Sequence, residues 1–177
     1  METNLKKKFI KFEILTWSII AGLSRGKKVY KDGLKEFEKE NFKKFLRKEL
    51  RYRFGNNYLP ADSETHIANL NKFKEDIDAK YAPILQGGKI YFGRIQKIVN
   101  LYLKYRWICF DERMPIHCPI DSLVLKKLDL PHINWTAMTA GQYREILKKA
   151  EKNTGGIEKI AEWEMDLFNK NNITYKV

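Results

Sequence analysis

Gly93-Arg94-Ile95-Gln96-Lys97-Ile98-Val99-Asn100-Leu101-Tyr102-Leu103-Lys104-Tyr105 is followed, after a polar stretch, by His117-Cys118-Pro119-Ile120-Asp121-Ser122-Leu123. The reading of these two segments decides how the whole chain is understood. Ile98, Leu101, Leu103 and Tyr105 are apolar enough for the inside of a small domain. Lys97, Asn100 and Lys104 fall at i, i+3 and i+7, so they share one face of a helix. An otherwise apolar helix with a polar, cationic seam lines a cleft or wraps a solvated edge. Asp121 sits just behind a proline, where a new apolar run begins. A lysine and an aspartate delivered by different helices are the first candidates for chemistry.

Working outward, the helical pattern continues in both directions. Positions from about 5 to 23 carry Phe9, Phe12, Leu15, Trp17, Ile19, Ile20 and Leu23, which predicts a buried helix ended by Gly22 and Gly26. A second helix is expected from Leu34 to Phe54, with Leu34, Phe37, Phe45, Leu46 and Leu50 on its apolar side. Asp62-Ser63 offers an N-cap to a third, carrying Ile67, Leu70 and Ile77. The glycine-punctuated segment from Leu85 to Gly93 reads as a hairpin joining that helix to the Lys97 helix. A brief helix follows Pro119, and Thr139-Ala140-Gly141-Gln142 fits a capping box. A last helix holds Ile157, Ile160, Trp163 and Leu167, and the tail after Asn171 is expected to be short and extended or frayed. No alternating strand pattern survives, so the expected class is all-α, with the 177 residues forming one domain of two lobes.

Composition narrows the function. Lys+Arg number 34 against 22 Asp+Glu, a net charge of +12. That excess draws polyanions, of which nucleic acid is the commonest. Hydrophobic content of 44% supplies a core and argues against disorder. The only cysteines are Cys109 and Cys118, too few for a disulfide framework, which suits a reducing, cytoplasmic interior. The apolar run from Ile14 to Leu23 is too short to span a bilayer. Lys6-Lys7-Lys8 ahead of it resembles a signal peptide's opening, but Glu13 and Ser24-Arg25-Gly26 do not fit one.

Each candidate residue has a plainer reading beside the functional one. A lysine becomes a nucleophile only when neutral, a state that burial and nearby cations promote. Most lysines on a helix face are simply solvated. Asp121 in its position is an ordinary helix cap, although a capping carboxylate is also a rigid one. His117, Cys118, Cys109 and His132 lack paired metal-ligand spacing, so no metal is expected. Tryptophans are commoner in cores than as stacking platforms, and Trp107 and Trp135 lie nearest the proposed cleft in sequence. Basic stretches such as Lys43 to Arg53 and Lys148-Lys149 are usually solvated helix faces. On a nucleic acid they would contact phosphates without reading sequence.

A glycine-containing hairpin, a helix with an early lysine, and a loop ending in Pro119-Ile120-Asp121 together resemble the helix-hairpin-helix DNA glycosylases. The outline is similar to their 8-oxoguanine-excising, archaeal-type branch and covers about residues 80 to 130. The resemblance implies a DNA glycosylase/AP lyase without a cofactor, acting as a monomer on double-stranded DNA with a flipped base. Lys97 would be the nucleophile and Asp121 its electrostatic partner. Gly87, Gly88, Gly93, Arg94 and Lys104 would meet DNA, and Trp107, His117 and Trp135 are candidates for the base pocket. The rival expectation is a non-catalytic α-helical nucleic-acid-binding module, and a third is a protein-interaction domain whose charge is incidental.

Overall fold

Residues 2–55 and 58–172 are described by a computed structural model of the protein. Among the described residues seven α-helices run in the order α1 (Glu2–Leu23), α2 (Glu36–Phe54), α3 (Ser63–Tyr81), α4 (Phe92–Phe110), α5 (Ser122–Lys127), α6 (Ala140–Thr154) and α7 (Ile160–Asn172). No β-strand occurs among the described residues, only an isolated antiparallel bridge between Tyr30 and Leu85. The proposed tail after Asn171 lies almost wholly outside the described residues. No helix among them is long and apolar enough to cross a membrane.

The organising element is α4, against which α1, α2, α3 and α6 all pack. Every residue from Phe92 to Asn100 is buried, the behaviour of a helix enclosed on all sides. Its polar residues must therefore find partners inside the protein, because an unpaired buried polar group costs several kcal/mol.

Local signals set the helix ends. Asp62 caps α3, its carboxylate accepting from the Thr65 amide at 2.7 Å. Thr139 and Gln142 close a reciprocal capping box on α6, satisfying amides that the first turn leaves without helical partners. Between α3 and α4, Gly87 and Gly88 both adopt left-handed backbone, with φ of 67° and 71°, a conformation that disfavours any side chain. Beside that tip, residues 29–31 are stitched to residues 84–86, Lys31 N–H donating to Ile84 and Gln86 N–H to Val29.

Two expectations about the core need correcting. α1 is not buried throughout: Ile14, Leu15, Ser18 and Ile19 face inward, whereas Phe9, Phe12, Trp17 and Ile20 are exposed. Its N-terminal half, residues 4–12, is exposed. On α2 the inner face is Phe42, Leu46, Leu50 and Phe54, while Phe37 is exposed. The four-residue rhythm from Phe42 reaches α4, and the residues flanking it carry the helix's cations.

Candidate functional site

The amine of Lys97 on α4 and the carboxylate of Asp121 meet at 2.7 Å. Asp121 is the N-cap of α5, one carboxylate oxygen accepting from the amides of Leu123 and Val124 at 3.0 and 3.2 Å. The other oxygen accepts from Lys97. Burial would raise this carboxyl, but the Lys97 charge and the two amides outweigh it and hold Asp121 below its ordinary value. Asp121 is thus a fixed anion with both oxygens engaged, suited to stabilising positive charge and poorly suited to taking a proton. The lysine side chain keeps 11% of its exposure and the aspartate 25%, so the pair sits at the edge of the interior.

A second, deeper pair lies beside it. Lys104 donates to Glu164 of α7 at 2.6 Å, with both side chains under a tenth exposed. Burial pushes the Glu164 carboxyl above its ordinary value, although Lys104 and Lys97 pull it down. The cationic seam of α4 is therefore matched by two acids from different elements. Lys104, expected to meet DNA, is enclosed and committed to Glu164.

Asn100, the third member of the seam, is the hub of a buried polar chain. His66 donates from Nε2 to its side-chain oxygen at 2.8 Å. The Asn100 amide donates to the Tyr143 hydroxyl at 2.8 Å and to the Cys118 carbonyl at 3.1 Å. A single set of proton positions satisfies the whole run. Asn69 donates to the Tyr58 hydroxyl, which donates to His66 Nδ1; Tyr143 donates to His117 Nδ1, and His117 Nε2 donates to Ser63. Gln96 adds two bonds to Ile120, accepting from its amide at 3.0 Å and donating to its carbonyl at 2.7 Å. Through Cys118 and Ile120 this network fixes the segment leading to Asp121, whose carboxylate meets Lys97.

Both ring systems in that run must stay neutral. Burial lowers His66 from its ordinary value to about 4 and drives His117 down as well. Their folded values lie below the unfolded one, so they contribute stability that is present above about pH 6.5 and lost as pH falls. We expect wild-type urea stability to drop between pH 6.5 and 4.5, on the order of 3 kcal/mol by pH 4 for His66 alone. Urea titrations of the wild type and of a His66→Gln/His117→Gln variant test this; the variant should show a flatter profile. An equal slope in both would refute the assignment.

Several residues assigned to DNA or to the base pocket take other places. Arg94 is 2% exposed and donates to the carbonyls of Gly22, Leu23 and Lys27, joining α4 to the end of α1. Gly93 donates its amide to Met138. A Cβ on it would lie 1.7 Å from the Trp135 carbonyl oxygen, so the glycine permits a close backbone approach and has no free amide to offer a phosphate. His117 is fully enclosed and Trp135 is 6% exposed; both are core residues. Trp107 is half-buried on α4. Gly87 and Gly88 alone of the hairpin group remain near the surface.

The sequence reading passed over His66, Gln96, Tyr143 and Glu164. Gln96 left a trace as a polar residue one turn before Asn100 in an apolar helix, while Tyr143 and Glu164 were visible only as members of the apolar faces of their helices.

Several surface clefts lie elsewhere, among them one of about 780 Å³ lined by Lys7, Lys11, Leu103 and Arg113 among others. One of about 760 Å³ opens between α1, α2 and the second half of α4, lined by Lys11, Phe12, Lys44, Arg47, Lys48 and Arg51 among others. Tyr102 and Arg106 form its α4 wall. They lie five and nine residues beyond Lys97, which at about 100° per residue places them on the opposite face of the helix. A cleft of about 640 Å³, lined by Leu123, Lys126, Lys127 and residues of α7 such as Trp163 and Asp166, begins two residues after Asp121. No family model, no curated protein and no solved structure matches this chain.

Proposed function

We propose that the protein is a DNA glycosylase/AP lyase of the helix-hairpin-helix type, in which Lys97 attacks the sugar of a damaged or modified nucleotide. The observation that carries this reading is the Lys97–Asp121 pair: an amine and a carboxylate whose charged form its partners favour, from separate helices, 2.7 Å apart at the margin of the core. The α3–α4 connection supports it, since two left-handed glycines lie at its tip ahead of the lysine helix. The excess of cations suits a polyanionic substrate.

The chemistry follows from the geometry. The target nucleotide leaves the base stack at a cost of about a few kcal/mol. Lys97, as the neutral amine, bonds to C1′ while the bond from C1′ to the base breaks; one of its two protons leaves with the base and the other stays on the nitrogen. Opening of the sugar ring converts the adduct to a Schiff base, from which β-elimination breaks the 3′ carbon–oxygen bond. Asp121 offsets the positive charge that develops on the sugar, a role for a preorganised anion.

A second reading is a nucleic-acid-binding module without chemistry. The position of the basic cleft on the far face of α4 favours it. Borohydride reduction separates the two. Incubation with a duplex carrying 8-oxoguanine or an abasic site should give a covalent complex that Lys97→Gln does not form. Salt-dependent binding without any trapped complex would reject the enzymatic reading in favour of the module.

A further inference from the structure

We propose that the cleft between α1 and α2 is a binding track for single-stranded nucleic acid, with its phosphates on Lys44, Lys48 and Arg51 and its bases on Phe12 and Tyr52. This does not rest on the lysine chemistry above, because the track lies on the other side of α4.

Several cations of α2 are already neutralised within the fold. Lys39, Lys43 and Arg53 are paired with Glu36, Glu40, Glu49 and Asp76. Arg47 lies 3.8 Å from Glu40, with its guanidinium over the Phe12 ring. Lys44, Lys48 and Arg51 are exposed, and none of them has an acidic partner among the described residues. Their spacing of i, i+4 and i+7 places them on one face. They extend about 10 Å along the axis, the rise of about three stacked nucleotides of one strand. The single acid lining the cleft, Glu112, is taken by Arg106. The wall is thus a row of cations held in no ion pair among the described residues, with only Lys44 feeling a nearby acid, Glu40.

Aromatic rings stand along the same cleft. Phe12 and Tyr52 are 47% and 85% exposed, an unfavourable placement for such rings unless something covers them. Phe110, with the Lys11 amine above its ring, lies at the α4 end. A cationic groove with exposed rings is the arrangement that grips unpaired strands, since each base offers a face for stacking. A duplex keeps its bases stacked on one another and would leave Phe12 and Tyr52 without a partner. An anionic membrane surface would also match charge and apolar rings, and it is the rival to be excluded.

Fluorescence anisotropy on the full-length protein with a labelled oligothymidylate of about 15 nucleotides tests the proposal. Binding should weaken with salt along a slope of about −2 to −3, the value for three or four phosphates of a single strand. Lys44→Glu/Lys48→Glu/Arg51→Glu should lower affinity at least thirtyfold and flatten that slope. Tyr52→Ala should lower affinity about tenfold and leave the slope alone. Unchanged binding by the triple variant overturns the proposal. So does equal affinity for a duplex with no effect of Tyr52→Ala, or capture by phosphatidylserine vesicles with none by the oligonucleotide. Lys97→Gln should bind the strand as the wild type does, so loss of borohydride trapping and loss of this track are separate results.

Discussion

Lys104→Ala should destabilise the protein by about 3–5 kcal/mol, the cost of leaving one member of a buried ion pair alone. Glu164 is 5% exposed, and burial already raises its carboxyl in the presence of the lysine. Without Lys104 the group must take up a proton or admit water. The sign of the pH dependence follows. A carboxyl whose folded value is raised favours the folded state below its unfolded value and costs stability as pH rises through the folded one. The loss in Lys104→Ala should therefore be largest near pH 7 to 8 and shrink below about pH 5. The double variant Lys104→Met/Glu164→Leu removes both charges and should recover most of the loss, as apolar replacements of buried pairs do. Urea titrations of the three proteins give the coupling directly. A small loss in the single variant would mean that the pair is hydrated.

Asp121→Asn should slow formation of the covalent DNA complex by about 10²–10³-fold, the range for removing one preorganised electrostatic contact to a transition state. Asparagine caps helices about as well as aspartate, so the amide bonds to Leu123 and Val124 have a ready acceptor and α5 keeps its start. What disappears is the fixed negative charge 2.7 Å from the Lys97 amine. Stability should fall less than in Lys104→Ala, because the Asp121 side chain is a quarter exposed and water can compensate the lysine in part. Single-turnover trapping on an abasic duplex measures the first effect, and thermal unfolding the second. Loss of the fold with no change in trapping rate per folded molecule would make Asp121 a structural residue only.

These two acids show how far a sequence carries and where it stops. Asp121 was legible because its signal is local: a proline behind it, an apolar run ahead, and a capping carboxylate that must point back along the helix. Lys97, Asn100 and Lys104 were legible as one face through helical spacing. What they touch was not. Glu164 stands 60 residues from Lys104; its spacing from Ile160 and Leu167 turns it inward, but nothing in its own helix says which cation it meets.

The same limit misplaced Arg94, Gly93 and His117. An arginine after a glycine hairpin reads as a phosphate contact, but its guanidinium is consumed by carbonyls at the end of α1. Gly93 reads as a hairpin glycine that meets DNA, yet the Trp135 backbone presses on it and leaves no room for a side chain. His117 reads as an adaptable pocket residue until Ser63 and Tyr143 close both ring nitrogens. Phe12 and Trp17 read as core because apolarity is visible in sequence and exposure is not. Helices and caps depend on neighbours in the chain, whereas the meeting of Lys97 with Asp121 depends on neighbours in space. So do the buried polar chain and the basic cleft.

The central claim is that one lysine among many in a strongly basic protein performs covalent chemistry. Peptide mapping of the borohydride-trapped complex with an abasic oligonucleotide tests it most directly. The account predicts a single adduct, on the peptide containing Lys97, at a yield that tracks the intact Lys97–Asp121 pair. An adduct on Lys44, Lys48 or another surface lysine, or a scatter of adducts over several, would contradict it.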